Sequence, residues 1–351
     1  MPTPILLVLL ILVGTYGVLA GAVSVGGIRA RRQTPPPPPP EWPSVSVVGR
    51  AVEDPDPSPL QQIQACDYPT DRLELLLPTA ESTEDSSPER DGALSVRRVS
   101  VPERPPSALA SAPPDSILGE AEGEIMLSMP AGEPVPPDWI RSMVRRCTED
   151  TPVVVGPTLV EHEDLFLPRL QALSHLGHLT FTAAASEFDR ELPSGNANRA
   201  VRVGSRRDTR LSSDKASVTF NPDPGAAVLF PPARSFGSLL RHYGHGFSRL
   251  MSASSWLVRG PGLVLWGVHT VLLACALVAV AVPAWRQPTL LAVVAKMGAD
   301  VLLTLPTAKH YDQRTLFRSL VPTELMLVLA LPLGGLWSFM SPEHLSGSRS
   351  L

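Results

Sequence analysis

The chain has 351 residues, 44% of them hydrophobic, with 39 prolines and a net charge of −4. That length accommodates one sizeable soluble domain plus membrane segments, and the small, mixed charge offers neither a basic field nor an acidic tail, which excludes nucleic acid as a partner. Cys66, Cys147 and Cys275 are far apart and show no CxxC spacing, so reduced structural thiols are expected in place of a disulfide framework.

Apolar residues concentrate at the two ends. Ile5 to Val25 is an uncharged run of about the twenty residues that cross a bilayer. No Lys or Arg stands before it, whereas Arg29, Arg31 and Arg32 follow directly, which predicts a retained anchor (1–27) with the next domain on the cytoplasmic face. Residues 28–42, RARRQTPPPPPPEWP in their greater part, read as an extended polyproline spacer. PSVSVVGRAV is then a strand, Pro59 to Cys66 a short helix and RLELLLP a second strand, the start of a mainly parallel α/β sheet with right-handed crossovers. Thr79 to Asp115, rich in Pro, Ser, Glu and Arg, is expected to be loosely ordered apart from a short strand at Leu94 to Val101. Ile125 to Leu127 resumes the sheet. Pro136 and Pro137 end the following turn, and Asp138 is placed to cap a helix from Trp139 to Cys147. PVVVGPT is strand-like, and Leu165 to Ala185 is a largely apolar helix.

From Phe236 to Leu257 apolar residues recur at spacings of three and four, with Arg241, His242, His245 and Arg249 between them. Two readings fit: an amphipathic helix on a membrane surface, or an ordinary helix packed on a core. Gly237, Gly244 and Gly246 weaken either by up to about 1 kcal/mol each. Three apolar runs follow, Leu263 to Ala284, Thr289 to Leu305 and Leu320 to Met340. Lys296 and Asp300 in the middle run pair along the helix or mark an interfacial segment; with no other buried charge expected beside them, transport is disfavoured. Lys309, Arg314 and Arg318 place their loop inside, so four crossings put the tail, 341–351, outside.

Taken in order, these segments resemble a membrane-anchored, processive-type family 2 glycosyltransferase from Pro43 to about Met340. PSVSVV is similar to the family's first strand, CDYP to its Q-D-Y-P turn, and LELLLPTAEST to its V-I-V-V-D-D-G-S-T segment. GEIMLS and PPDW resemble the frame of its metal site, VVVGPT the next strand, and SGNANRAVR the acceptor-side G-x-N-x-A-x-R turn, before NPDPGAAV and RSFGSLLRH lead toward the membrane. The resemblance implies an α/β, GT-A-like nucleotide-sugar-transferase domain over 43–235, an amphipathic segment over 236–260 and transmembrane helices over 261–340. It implies sugar transfer from a nucleotide-sugar to a lipid or polysaccharide acceptor at the inner membrane, with Mn or Mg neutralising the diphosphate.

This sequence departs from the family at the cation site, where the Asp-x-Asp positions hold Pro130, Ala131 and Gly132. The first Asp pair is replaced by Thr79 and Ala80, and Q-x-x-R-W falls on His242, Tyr243, Gly244, His245 and Gly246. No metal ligands are therefore expected, and transfer is expected to be impaired. The alternative is a catalytically inactive relative acting as a scaffold, with another glycosyltransferase or a polysaccharide-export component as partner beside the lipid bilayer. By the same resemblance Asp214 is the candidate base, weighed against a solvated loop aspartate, and Gly195, Asn196 and Asn198 form the acceptor-side turn. Glu133 alone makes a poor cation site. The pairs His175/His178 and His242/His245 have the i, i+3 spacing of zinc ligands but no partners nearby, so ordinary helix histidines are expected. Ser194 lacks a nucleophile elbow.

Overall fold

The computed structural model describes residues 3–49, 59–79, 89–91, 94–100, 115–129, 134–162, 165–190, 198–203, 217–253 and 255–340. In chain order the elements are α1 (Thr3–Arg32), β1 (Val45–Val48), α2 (Pro59–Gln64), β2 (Leu73–Thr79), β3 (Glu89–Asp91), β4 (Leu94–Ser100), α3 (Asp115–Glu120), β5 (Ile125–Ser128) and α4 (Trp139–Arg146). They continue with β6 (Val153–Val155), β7 (Thr158–Val160), α5 (Phe166–Ser186), β8 (Arg199–Arg202), β9 (Val218–Phe220), β10 (Val228–Phe230), α6 (Phe236–Ser252), α7 (Trp256–Ala281), α8 (Arg286–His310) and α9 (Leu320–Met340). Two compact units result, an α/β unit of Arg29–Leu159 and Ser186–Pro231, and a helical unit of Met1–Ile28, Val160–Ala185 and Pro232–Leu351.

The α/β unit is built on an eight-stranded, parallel-rich sheet in the order β3-β4-β2-β1-β5-β8-β6-β9. β1 lies parallel to both β2 and β5, β2 parallel to β4, and β6 parallel to β9, while β8 runs antiparallel to β5 and β6. β1 and β5 are buried at every residue, as strands covered on both faces must be. Alternation divides their side chains: Val45, Val47, Ile125 and Leu127 pack with Trp139, Ile140 and Met143 of α4, whereas Val48 and Met126 pack with Leu76, Ile117 and Val203 on the other face. Asp138 precedes α4 as expected, but its side chain makes no capping bond; the first turn is closed by the backbone, Ser142 N donating to Asp138 O at 2.9 Å.

Ser46 and Glu74 interrupt the apolar strands side by side, since they are register partners on β1 and β2. The buried Glu74 carboxylate accepts from the Ser46 hydroxyl, from Glu122 N at 2.7 Å and from Gly123 N at 3.2 Å, and meets Arg97 of β4 at 3.3 Å. Satisfaction from every side is what makes a buried charge tolerable. Gly123 approaches β1 so closely that a Cβ there would lie 2.5 Å from Ser46 N. The proline run, expected as an extended spacer, is held against α4: Arg145 donates to Pro36 O, and Arg146 to Gln33 O at 2.9 Å.

Among the described residues four stretches are long and apolar enough to cross a bilayer: Leu7–Arg32, Trp256–Ala281, Pro283–His310 and Arg314–Ser338. α5 clusters with them, its Thr180 hydroxyl bonding Thr307 at 2.5 Å and Ser174 bonding Tyr243 at 2.7 Å. α6 is capped by a Ser235/Ser238 capping box and ends at Ser252, so Leu257, expected on the same helix, belongs to α7. One side of this helix is packed, Leu239 joining a core with Leu170, Met326, Leu327 and Ala330, while Phe236 and Met251 remain exposed. A Cβ on Gly244 would sit 2.8 Å from Gly334 O, and one on Gly334 3.1 Å from Leu240 O, so the backbones of α6 and α9 touch.

The three glycine environments predict opposite signs for one substitution. Gly123→Ala and Gly244→Ala should each destabilise the protein by about 1–3 kcal/mol through overpacking. Gly246→Ala, with open space around its added methyl, should stabilise by about 0.5–1 kcal/mol through helix propensity. Thermal midpoints of the full chain in detergent would register all three.

Candidate functional site

From β1 the sheet grows outward through β2 to β4, and the chain then returns to place β5 on the other flank of β1. The direction of growth therefore reverses between β1 and β5, and in open α/β sheets ligands bind outside the carboxyl ends of strands at such a switch point. Val48 pairs with Ser128 at this edge, Met129 N donates to Val48 O at 3.0 Å, and Gly49 N donates to Leu76 O at 2.9 Å. The Ser128 side chain is 7% exposed, and its Oγ has no hydrogen-bond partner among the described residues. On the neighbouring strand Arg199 shares a register with Ser128 and with Val155, so its side chain emerges on the same face, 6% exposed. Ser128 and Arg199 are thus cross-strand neighbours at the switch point, and a guanidinium is the side chain best matched to phosphate oxygens.

Arg199 is held in place by the residue before it. Asn198 is wholly buried; its Oδ1 accepts from Trp139 Nε1 at 2.9 Å, and its Nδ2 donates to Pro157 O and to Ala226 O, both at 2.8 Å. Both amide hydrogens are engaged, so Asn198 braces α4, the end of β6 and the turn before β10. The NPDPGAAV segment acts similarly: Asn221 Nδ2 donates to Ser142 O at 3.1 Å, and Ser142 Oγ donates to Asp223 Oδ2 at 2.6 Å. So does CDYP, where Asp67 pairs with Arg141 at 2.6 Å and the Tyr68 hydroxyl donates to Pro43 O at 2.7 Å. Of the residues singled out from the sequence, Asp214, Gly195, Asn196, Ser194, Glu133 and Pro130 to Gly132 lie outside the described residues.

Ser128 and Arg199 were not among the residues picked from the sequence. Both sit inside motifs that were, GEIMLS and SGNANRAVR, but their adjacency depends on the antiparallel pairing of β8 with β5, which no spacing reveals.

The strands beside the switch point carry one carboxylate among the described residues. Glu74 is the carboxylate carried by β1, β2 and β5, and its position near the start of β2 puts it at the opposite end from the switch point. Among the described residues no group of three or more His, Cys, Asp or Glu is placed to hold a metal. The histidines pack on rings: His175 against His178 at 5.4 Å, His242 against Tyr243 at 5.8 Å and His245 against Trp337 at 5.4 Å. Burial pushes the His242 imidazole below its ordinary value, and burial pushes the thiols of Cys66 and Cys147 up to about 12, so neither cysteine is a nucleophile at neutral pH.

No protein-family model matches the sequence, and no curated protein does. Among solved structures, a mannosyltransferase from Pyrobaculum calidifontis, determined in complex with GDP-Man and Mn2+, matches with a TM-score of 0.52 at 14% identity, over 95% of this chain and 99% of that one. The likeness at that identity is one of fold. S. aureus TarS in complex with UDP-GlcNAc matches with a TM-score of 0.36 at 10% identity, over 88% of this chain and 93% of that one, too loosely to add to it.

Two measurements check this site. Asn198→Asp, which aims a carboxylate at two buried carbonyls, should cost about 2–5 kcal/mol in denaturant unfolding. In a Cys275→Ser background Cys66 and Cys147 should resist a thiol reagent at pH values about 3 to 4 units below their own, and react once the chain is unfolded; rapid native labelling would contradict their burial.

Proposed function

We propose that this chain is a membrane-bound glycosyltransferase-like protein of the family 2 kind, with a GT-A domain that takes a nucleotide-sugar donor and a lipid or polysaccharide acceptor, its transfer weakened by the loss of the family's cation ligands. The Ser128 and Arg199 pair at the switch point carries the reading. It puts a positive charge and a hydrogen-bonding hydroxyl where α/β sheets bind ligands, and the fold shared with a mannosyltransferase supports the same class of donor. In this reading Arg199 meets the diphosphate, Asp214 removes the acceptor's hydroxyl proton, and the four apolar helices hold the protein at the bilayer. The positive charges Arg29, Arg31 and Arg32, with Lys309, Arg314 and Arg318, support a cytoplasmic orientation of the soluble part in this reading.

A second reading is a catalytically inactive scaffold that binds another glycosyltransferase or a polysaccharide-export component; what motivates it is the sequence, which has Pro130, Ala131 and Gly132 at the family's cation-ligand positions.

Titration calorimetry on the full chain in nanodiscs, with GDP- and UDP-sugars in the presence of Mn2+ and of chelator, separates them. Sugar transfer requires one donor to bind, with a Kd on the order of micromolar. Arg199→Gln should weaken that binding about tenfold or more, the loss of a charge-assisted contact. Asp214→Asn should leave donor binding in place and slow turnover about 100- to 10,000-fold. Silence across the whole panel overturns the transfer reading, and crosslinking in cells should then recover the partner.

A further inference from the structure

The helical unit contains a group of ionisable side chains that the sugar-transfer reading does not use. Lys296 of α8 is 1% exposed; its ammonium lies 2.6 Å from Asp300 Oδ2, one turn along, and also pairs with Glu324 of α9. Tyr16 of α1 donates its hydroxyl to Asp300 Oδ1. His269 of α7 is fully buried; its Nδ1 is 2.7 Å from Leu265 O, its Nε2 has no hydrogen-bond partner among the described residues, and the charges of Lys296 and Asp300 both act on it. Each of the four apolar helices thus sends a titratable side chain to one place. Glu324, a charge within the third apolar run, joins Lys296 and Asp300, and the ground for setting that pair aside falls with it.

Its charge does not balance. One ammonium facing two carboxylates leaves a net −1 if all three ionise, and an uncompensated charge in apolar surroundings costs several kcal/mol. Tyr16 is already a donor, and His269, with Nδ1 turned to the Leu265 carbonyl, offers only the lone pair of Nε2. A proton on His269 would set two cations side by side. A proton on the carboxylate pair leaves one cation facing one anion, with the neutral carboxyl free to donate.

We propose that the four apolar helices hold a proton-binding site, in which Asp300 and Glu324 share one exchangeable proton and Lys296 supplies the balancing charge. The step is a protonation alone: a carboxylate oxygen takes a proton from water and returns it, and no other bond changes. Ionisable groups inside apolar helical bundles mark proton or ion pathways, and this one joins all four helices, so its protonation state bears on how they pack.

Infrared spectroscopy of the full chain in nanodiscs tests this. The wild type should keep a carboxylic-acid carbonyl band at neutral pH, where exposed carboxylates are ionised, and lose it on alkalinisation. Glu324→Gln and Asp300→Asn should each abolish the band on their own, because either leaves one carboxylate with one ammonium. Lys296→Met should strengthen it, both carboxyls then being protonated. Absence of the band from the wild type at neutral pH overturns the proposal whether or not any variant folds, and so does its persistence in both single variants. A band that emerges only when Na+ is withdrawn identifies a sodium site and equally overturns it.

Discussion

The carboxylate of Glu74 is the point on which the α/β unit turns. It lies inside the sheet, yet a hydroxyl from β1, two backbone amides from the segment before β5 and a guanidinium from β4 converge on it. Each comes from a different strand or its approach, so burying the charge fixes β1, β2, β4 and β5 in one mutual register. That register in turn sets Val48 opposite Ser128 and, one strand further, Arg199 opposite Ser128. The candidate binding edge is thus arranged from the far end of its own strands, where removing any one donor would leave a buried charge short of partners.

Much of this was legible from local pattern. The runs Val45 to Val48, Leu73 to Leu77 and Ile125 to Leu127 declare buried strands by their apolar continuity, and Trp139, Ile140, Met143 and Val144 declare one face of a helix. What escaped depended on partners distant in sequence. Arg145 and Arg146 read as ordinary basic residues of a last helical turn, with nothing to show that they hold the proline run. Lys296 and Asp300 were visible as a pair because they stand one turn apart, whereas Glu324 lies on the next helix. Asn198 belonged to a motif, but that its amide closes three elements at once required those elements to be in place.

The two units solve the same problem in different ways. In the sheet one acid is surrounded by donors fixed by backbone geometry, including two peptide N–H groups that cannot titrate. Among the apolar helices the groups around Lys296 are side chains, among them Asp300 and Glu324, which can take up and release protons. The first arrangement includes partners that cannot change their protonation; the second is made of side chains that can.

The contact between Gly244 and Gly334 sets the axial level at which α6 and α9 meet. α6 presents bare backbone to α9 at that one position, where neither helix can slide without driving a neighbouring side chain into a peptide group. Two residues without side chains thus act as a ruler, fixing the register of two helices that the apolar packing around them would leave loose.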